Sequence, residues 1–509
     1  MTRLLALALA TLCGAPLAAD DPPDVFSVDM AQYVEWSQSP HAELRVSALR
    51  SFAYVAHHSA ESHVLALAAD PEPEVRREVA YALARVGSTQ AIEPLLDLTE
   101  DADAGVRSQA RTSLRVLTQA DEPTRELWES TTPDAYADAL IEQLATERRV
   151  AALEALRCFA RPQDEPAILA FVTGAQPPAN GEEQALAIRV LERIGTEAAL
   201  PWLDSVSQSQ PTAAWALGEI GGPAAEEALL KGLGRFGTVN PQHLINLDRL
   251  NSTRCGPFAA LLIHGYGCIT FRSDPENLMY DPEPGQRAST NLLIRAGRAE
   301  EIVDLVLREM EGRADDASIP EDLRQSMVRL REELAPGFVR NDGVTTSQPM
   351  TAMSHLVRDR SLAPRIIPLL DHDAYVARVY AAMALGRLRA IEALPAITAI
   401  IDEGYPFADA TTAVSGKHFG DSQSIRWRGF LCMALGRMGG ERARVFLEER
   451  ATDPSEYRDI RFGAVVGLGF IGSEASVPAL RRVADEDIVW RTRVEAERVL
   501  HEMELGIAG

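Results

Sequence analysis

The sequence predicts an all-α chain, an α-solenoid or superhelix of roughly ten stacked helix pairs with an irregular central insertion. Three observations carry this. An apolar residue followed by arginine recurs every 31 residues, at Leu44-Arg45, Val75-Arg76 and Val106-Arg107. The pattern returns at Ala377-Arg378, Trp427-Arg428, Ile460-Arg461 and Thr492-Arg493, the last three spaced 33 and 32 residues apart. Finally, 509 residues exceed what one ordinary core can organise, whereas stacked units bury apolar surface only against their neighbours.

The unit starting at Asp70 shows how the elements arise. Asp70 and Pro71 break the chain, and Glu72 and Glu74 put acid where a helix N-terminus favours it. Val75, Val79, Ala82, Leu83 and Val86 then recur at three- and four-residue spacing, the mark of an amphipathic helix. Gly87 is expected to stop that helix in a left-handed conformation. Ala91, Ile92, Leu95 and Leu96 form a second helix, closed by Glu100-Asp101. Two helices of about three turns with short connections use roughly thirty residues, which is the period.

Small alanines on each first helix allow close approach of neighbouring units. The repeated arginines, Arg45, Arg76, Arg107, Arg149, Arg378, Arg428, Arg461 and Arg493, follow acidic turns in most copies, such as Asp70 before Arg76. A planar guanidinium suits a bridge to inter-repeat acids or turn carbonyls. The expectation is therefore a structural ladder of arginines and not a set of phosphate ligands.

The phrases Val75-Arg76-Arg77-Glu78-Val79-Ala80-Tyr81-Ala82-Leu83, Ala384-Leu385-Gly386-Arg387-Leu388 and Gly467-Leu468-Gly469-Phe470-Ile471-Gly472 resemble short HEAT repeats of the phycobilisome-lyase HEAT-like kind. The Trp and Leu-Gly pattern of tetratricopeptide repeats and the Thr-Pro-Leu-His signature of ankyrin repeats are absent in register. The resemblance covers residues 40–237 and 361–505. It implies a fold and, more loosely, a binding surface in place of a catalytic pocket. Bilin lyases attach chromophore to cysteine, yet nothing here matches a lyase motif beyond the shared repeats.

Four segments are expected: a signal peptide over 1–19, N-terminal repeats over 20–237, an irregular helical segment over 238–360, and C-terminal repeats over 361–509. In the first block, units centre on Arg45, Arg76, Arg107 and Arg149, then on Ala187–Gly195 and Ala213–Gly221. The step from Arg107 to Arg149 is 42 residues, with surplus around Gln119–Asp134. Beyond Thr238 the register is lost, and a proline-rich loop runs from Asp274 to Gly285. A second insertion, Glu403–Ser424, stretches the step from Arg378 to Arg428 to 50 residues. Insertions in a solenoid map to loops, often on the binding face.

A net charge of −24 argues against non-specific binding to nucleic acid or anionic membranes, though it leaves room for a local basic patch. Only Lys231 and Lys417 are lysine, as arginine-favouring codon usage in a GC-rich genome would give. Arg3, the apolar run Leu4–Leu12 and Leu17-Ala18-Ala19 read as an export signal cleaved before Asp20, placing the mature chain in a bacterial periplasm or outside the cell. Leu12 before Cys13 fits a lipid-anchor site poorly, and no later stretch is long enough for a transmembrane helix. In an exported chain Cys255 and Cys268 are the pair best placed for a disulfide. Cys158 and Cys432 sit in helical Ala/Leu settings as small buried hydrophobes.

Candidate chemistry is thin. His264, Tyr266 and Cys268 cluster in sequence, but the spacing is not a paired metal motif. His57, His58 and His63 read as a polar inter-helix turn, and Trp427 as core. No phosphate-loop or Ser-His-Asp pattern appears in a supporting context. Tyr405, Phe407, Lys417 and His418, in the second insertion, are candidate partner contacts. The reading is an exported scaffold holding a protein or peptide partner along its solenoid face, with no catalytic, metal or cofactor residue and no nucleic acid partner. The alternatives are an enzyme or enzyme subunit of bilin-lyase type, and a structural envelope component.

Overall fold

The computed structural model describes residues 28–255 apart from short breaks, 360–372, 375–403 and 419–508, with a few positions between 288 and 297. Apolar residues at helical spacing build one long helix per repeat: α1 Val28–Ser37, then α2 Ala42–Val55, α4 Pro73–Val86, α6 Ala104–Thr118, α9 Arg149–Phe159, α11 Gly181–Ile194 and α13 Ala213–Ile220. Between them lie shorter helices, α3 Glu61–Leu65, α5 Ile92–Leu98, α7 Arg125–Ser130, α8 Pro133–Gln143, α10 Glu165–Thr173 and α12 Leu200–Val206. The same alternation returns in α14 Tyr375–Arg387, α15 Leu394–Asp402, α16 Phe419–Met438, α17 Glu441–Thr452, α18 Arg458–Ile471, α19 Val477–Glu486 and α20 Trp490–Glu504. No strand occurs among the described residues, and the fold is an α-solenoid.

The chain divides into two compact units. One holds the described residues up to Ala228 together with Asn246–Ser252; the other holds Leu229–Ile245 and the described residues from Thr253 onward. The sequence boundary at 237 falls outside the described residues.

In the first unit the long helices pack in chain order, α2 on α4, α4 on α6, α6 on α9, α9 on α11 and α11 on α13. Their seam is small and dry: Val75, Val79, Ala82 and Leu83 are fully buried. A one-turn 3-10 segment opens α3, α5, α10 and α12, and in three of these a side chain at the same place in the repeat caps it. His57 accepts from the Ser59 amide, Ser88 from Gln90 and Thr196 from Ala198.

Gly87 corrects one expectation. Its φ of −67° and ψ of 149° are extended, not left-handed. Glycine is required there by proximity, since a Cβ would meet the Leu83 carbonyl and lie 2.8 Å from the Ala91 methyl. The left-handed stops belong instead to Ala56, Gln119 and Gly472.

In the second unit α14 packs on α16, α16 on α18 and α18 on α20. Glycine lets α16 and α18 approach backbone to backbone: a Cβ on Gly463 would overlap Gly429, and one on Gly436 would overlap Gly467.

Candidate functional site

The arginine positions are joined from one repeat to the next. Arg45 donates to both oxygens of Asp70, at 2.7 and 2.9 Å, and to the carbonyls of Ser39 and Pro40. Arg76 repeats this with Asp101, at 2.6 and 2.9 Å, and takes the carbonyls of Asp70 and Pro71. Arg107 reaches the carbonyls of Asp101 and Ala102, at 2.7 and 2.8 Å. The carboxylate engaged is thus the one opening the next repeat, while the preceding turn contributes carbonyls. The hydrogen bond from Arg76 holds the Asp101 carboxyl below its ordinary range.

Arg461 pairs with Asp487 at 2.7 Å, and Arg149 with Glu183 at 3.1 Å. Arg378 donates to the His372 carbonyl and lies 3.3 Å from Glu403. Arg428 differs: it donates to the Ile401 carbonyl and covers the Tyr457 ring at 5.2 Å. Arg493, in α20, is exposed and makes no side-chain contact of this kind among the described residues.

A second set of inter-repeat bonds escaped the sequence reading. Glu61 accepts from the Ser88 amide at 2.5 Å, and Glu165 accepts from the amide and hydroxyl of Thr196 at 2.7 and 2.8 Å. Glu448 likewise accepts from Ser476 at 2.8 Å. Glu61 and Glu165, near the start of their short helices, therefore anchor the cap of the next, while Glu448 reaches Ser476 from the middle of α17.

The histidine turn is not merely polar, and that expectation is corrected. His57 is 2% exposed, and its Nε2 lies 3.3 Å from carboxylates of both Glu192 and Glu219. The Ser59 amide donates to Nδ1, which leaves the imidazole proton on Nε2, facing the two acids. Burial would raise the Glu219 pKa, but His57 and Arg249 outweigh it and lower the value to about 2. Burial and the adjacent His57 push His58 down to about 4. His57, His58 and Glu219 offer donor atoms within 4.8 Å of one another, the spacing a metal ion would use. Glu219 is already held by Arg249, however, and Nε2 of His57 carries its proton, so these groups are committed to each other.

Opposite the core seam, the long helices line a groove. Tyr54, Arg85 and Val116 stand nine residues after the repeat arginines Arg45, Arg76 and Arg107, while Arg50, Tyr81 and Thr112 stand five after. Helical spacing puts both rows on the face away from the buried seam. Arg50, Tyr54, Arg77, Tyr81, Arg85 and Gln109 enclose about 670 Å³. A further 270 Å³ continues past Val116 to Arg157. Tyr54 is 91% exposed, and Arg85 lies over the Tyr81 ring at 4.9 Å. The available signal in the sequence was a tyrosine on the polar stripe of each of two successive repeats.

Tyr405, Phe407, Lys417 and His418 lie outside the described residues, as do His264, Tyr266 and Cys268 and the segment 1–27. Cys255 is buried, and its proposed partner is beyond description. The Trp427 side chain is also outside what is described. Cys158 and Cys432 are buried, and burial pushes both thiols up to about 12, which keeps them protonated and unreactive. Among the described residues no helix is long and apolar enough to cross a membrane.

Several comparisons bear on this geometry. A model of HEAT repeats matches residues 32–115 and 419–501, and one of the PBS lyase HEAT-like repeat matches 212–235 and 377–403. No curated protein matches the chain. Among solved structures, a chain from the Kap95p–RanGDP structure is 14% identical, with TM-score 0.34, covering 95% of this chain and 69% of that one. Importin beta, crystallised from polyethylene glycol, is 13% identical with TM-score 0.29, over 96% and 79% of the two chains. A chain from a cadherin and beta-catenin structure is 13% identical with TM-score 0.22, over 93% and 100%. The HEAT-repeat model falls on the helix pairs that the arginine–aspartate column joins, and the stretches matched are HEAT repeats.

Proposed function

We propose that the protein is an exported HEAT-repeat scaffold that holds a protein or peptide partner along the long-helix face of its first unit. One observation carries the reading. Two tyrosines and three arginines from successive repeats line a continuous groove, and Tyr54 is left 91% exposed. Tyrosine and arginine are the side chains that dominate protein interfaces, because each combines apolar area with directed polar groups. Export rests on Arg3, the run Leu4–Leu12 and the small residues ending at Ala19.

Replacing Tyr54 with a photoreactive phenylalanine analogue in the native host tests the binding role. Irradiation should give one discrete adduct, suppressed by Tyr81→Ala; a pattern indistinguishable from a probe on an unrelated exposed helix would overturn the reading. For export, the mature N-terminus in the periplasmic fraction should be Asp20; retention of Met1 in the cytoplasm would refute it.

A further inference from the structure

The groove ends in a concentration of positive charge that the rest of the acidic chain does not explain. Arg85 in α4, Arg157 in α9, and Arg189 and Arg193 in α11 line one cavity, together with His58, Cys158 and Glu192. Among the described residues two carboxylates form ion pairs with these four guanidiniums. Glu192 is 3.1 Å from Arg189 and is shared with His57, and Glu61 is 3.7 Å from Arg193. Arg85 meets the Tyr81 ring, and Arg157 reaches only the Glu154 carbonyl in its own helix, at 3.4 Å. Neither has a carboxylate within ion-pair distance among the described residues.

Such crowding costs stability. Burial lowers the Arg157 pKa; Glu154 opposes it, and Arg189 and, more weakly, Arg85 add to the lowering. Helix C-termini offset part of the charge, each with about half an elementary charge, which does not neutralise two unpaired guanidiniums. His58 stays neutral near pH 7 and adds none. A partly buried cation retained without a partner is a site prepared for an anion.

We propose that Arg85 and Arg157 anchor an acidic peptide segment of the partner, a run of aspartate or glutamate. Planar guanidiniums match carboxylates in two-point hydrogen bonds. Arg85 lines this cavity and both parts of the tyrosine groove, so an extended chain held here continues towards Tyr81 and Tyr54. A small free ion would use only the end of that path. In a protein of net charge −24, unpaired guanidiniums at the groove favour an acidic segment there. The inference rests on the scaffold reading and adds the chemistry of the partner.

The test uses the full-length protein and a fluorescein-labelled Asp/Glu-rich peptide, with its Asn/Gln counterpart, read by anisotropy in about 0.1 M salt. The acidic peptide should bind about tenfold or more tightly than the amide version. Arg157→Gln and Arg85→Gln should each weaken it about tenfold, with the melting temperature unchanged or raised, since like-charge crowding is relieved. Equal binding of the two peptides, or indifference to both substitutions, overturns the proposal. Inorganic phosphate competing as strongly as the peptide would make this a small-anion site and overturn it as well. If the Tyr54 photoadduct forms while acidic peptides do not bind, this inference fails and the scaffold reading stands; loss of both removes the two together.

Discussion

Arg45 and Asp70, 25 residues apart, are joined by two parallel hydrogen bonds of 2.7 and 2.9 Å with both side chains nearly buried. The Asp70 backbone carbonyl also accepts from Arg76, so one residue serves two successive rungs. Asp70→Ala should cost about 3 kcal/mol, because it leaves a buried guanidinium without its counter-charge. Urea unfolding of the full chain measures this. Arg493→Ala, at the exposed end of the column, should stay within about 0.5 kcal/mol of wild type. Equal costs at the two positions would contradict the rung geometry.

Gly436→Ala should destabilise the second unit by about 2 kcal/mol or more, since the new methyl overlaps the Gly467 backbone and two helices must separate. Thermal unfolding followed by circular dichroism would show it. Gly439 offers no such contrast, because its φ of +73° penalises any side chain without a packing clash.

The first unit should weaken in mild acid. In the unfolded chain His58 titrates near 6.5, whereas in the fold burial and His57 bring it to about 4. Between those values the unfolded state holds more protons, so stability falls as pH drops from 6.5 towards 4. The loss is on the order of 2–3 kcal/mol. His58→Gln should flatten that slope; an unchanged slope would show that another group titrates. Asp101, whose carboxyl is held down by Arg76, contributes at lower pH, its share present above its ordinary value of 3.8 and lost below.

Tyr54→Ala should leave unfolding free energy within about 0.5 kcal/mol of wild type, since the ring is 91% exposed. Partner capture should nonetheless fall, and the two measurements together separate a contact role from a structural one.

The repeat was legible because its signals are local. An arginine at fixed register, a helical apolar stripe and acidic turns all lie within one period, so Arg45, Arg76 and Arg107 announce the fold. The relations that were not legible join distant residues. Nothing near His57 indicates that Glu192 and Glu219 lie against it, because that depends on accumulated repeat-to-repeat rotation. Gly87 misled for a different reason: glycine after a helix signals both a left-handed stop and a tight crossing, and only the Ala91 methyl distinguishes them. The tyrosine groove was half visible. Tyr54 and Tyr81 break the polar stripe, but whether the face carrying them is open is decided by packing.

The contact of His57 with Glu219 links positions 162 residues apart, the turn after α2 to α13. A stack that touches only its neighbours can fray inward from either end, one layer at a time. Here loosening the turn after α2 breaks bonds to α11 and α13 as well, so distant layers protect one another and this stretch should melt as a block.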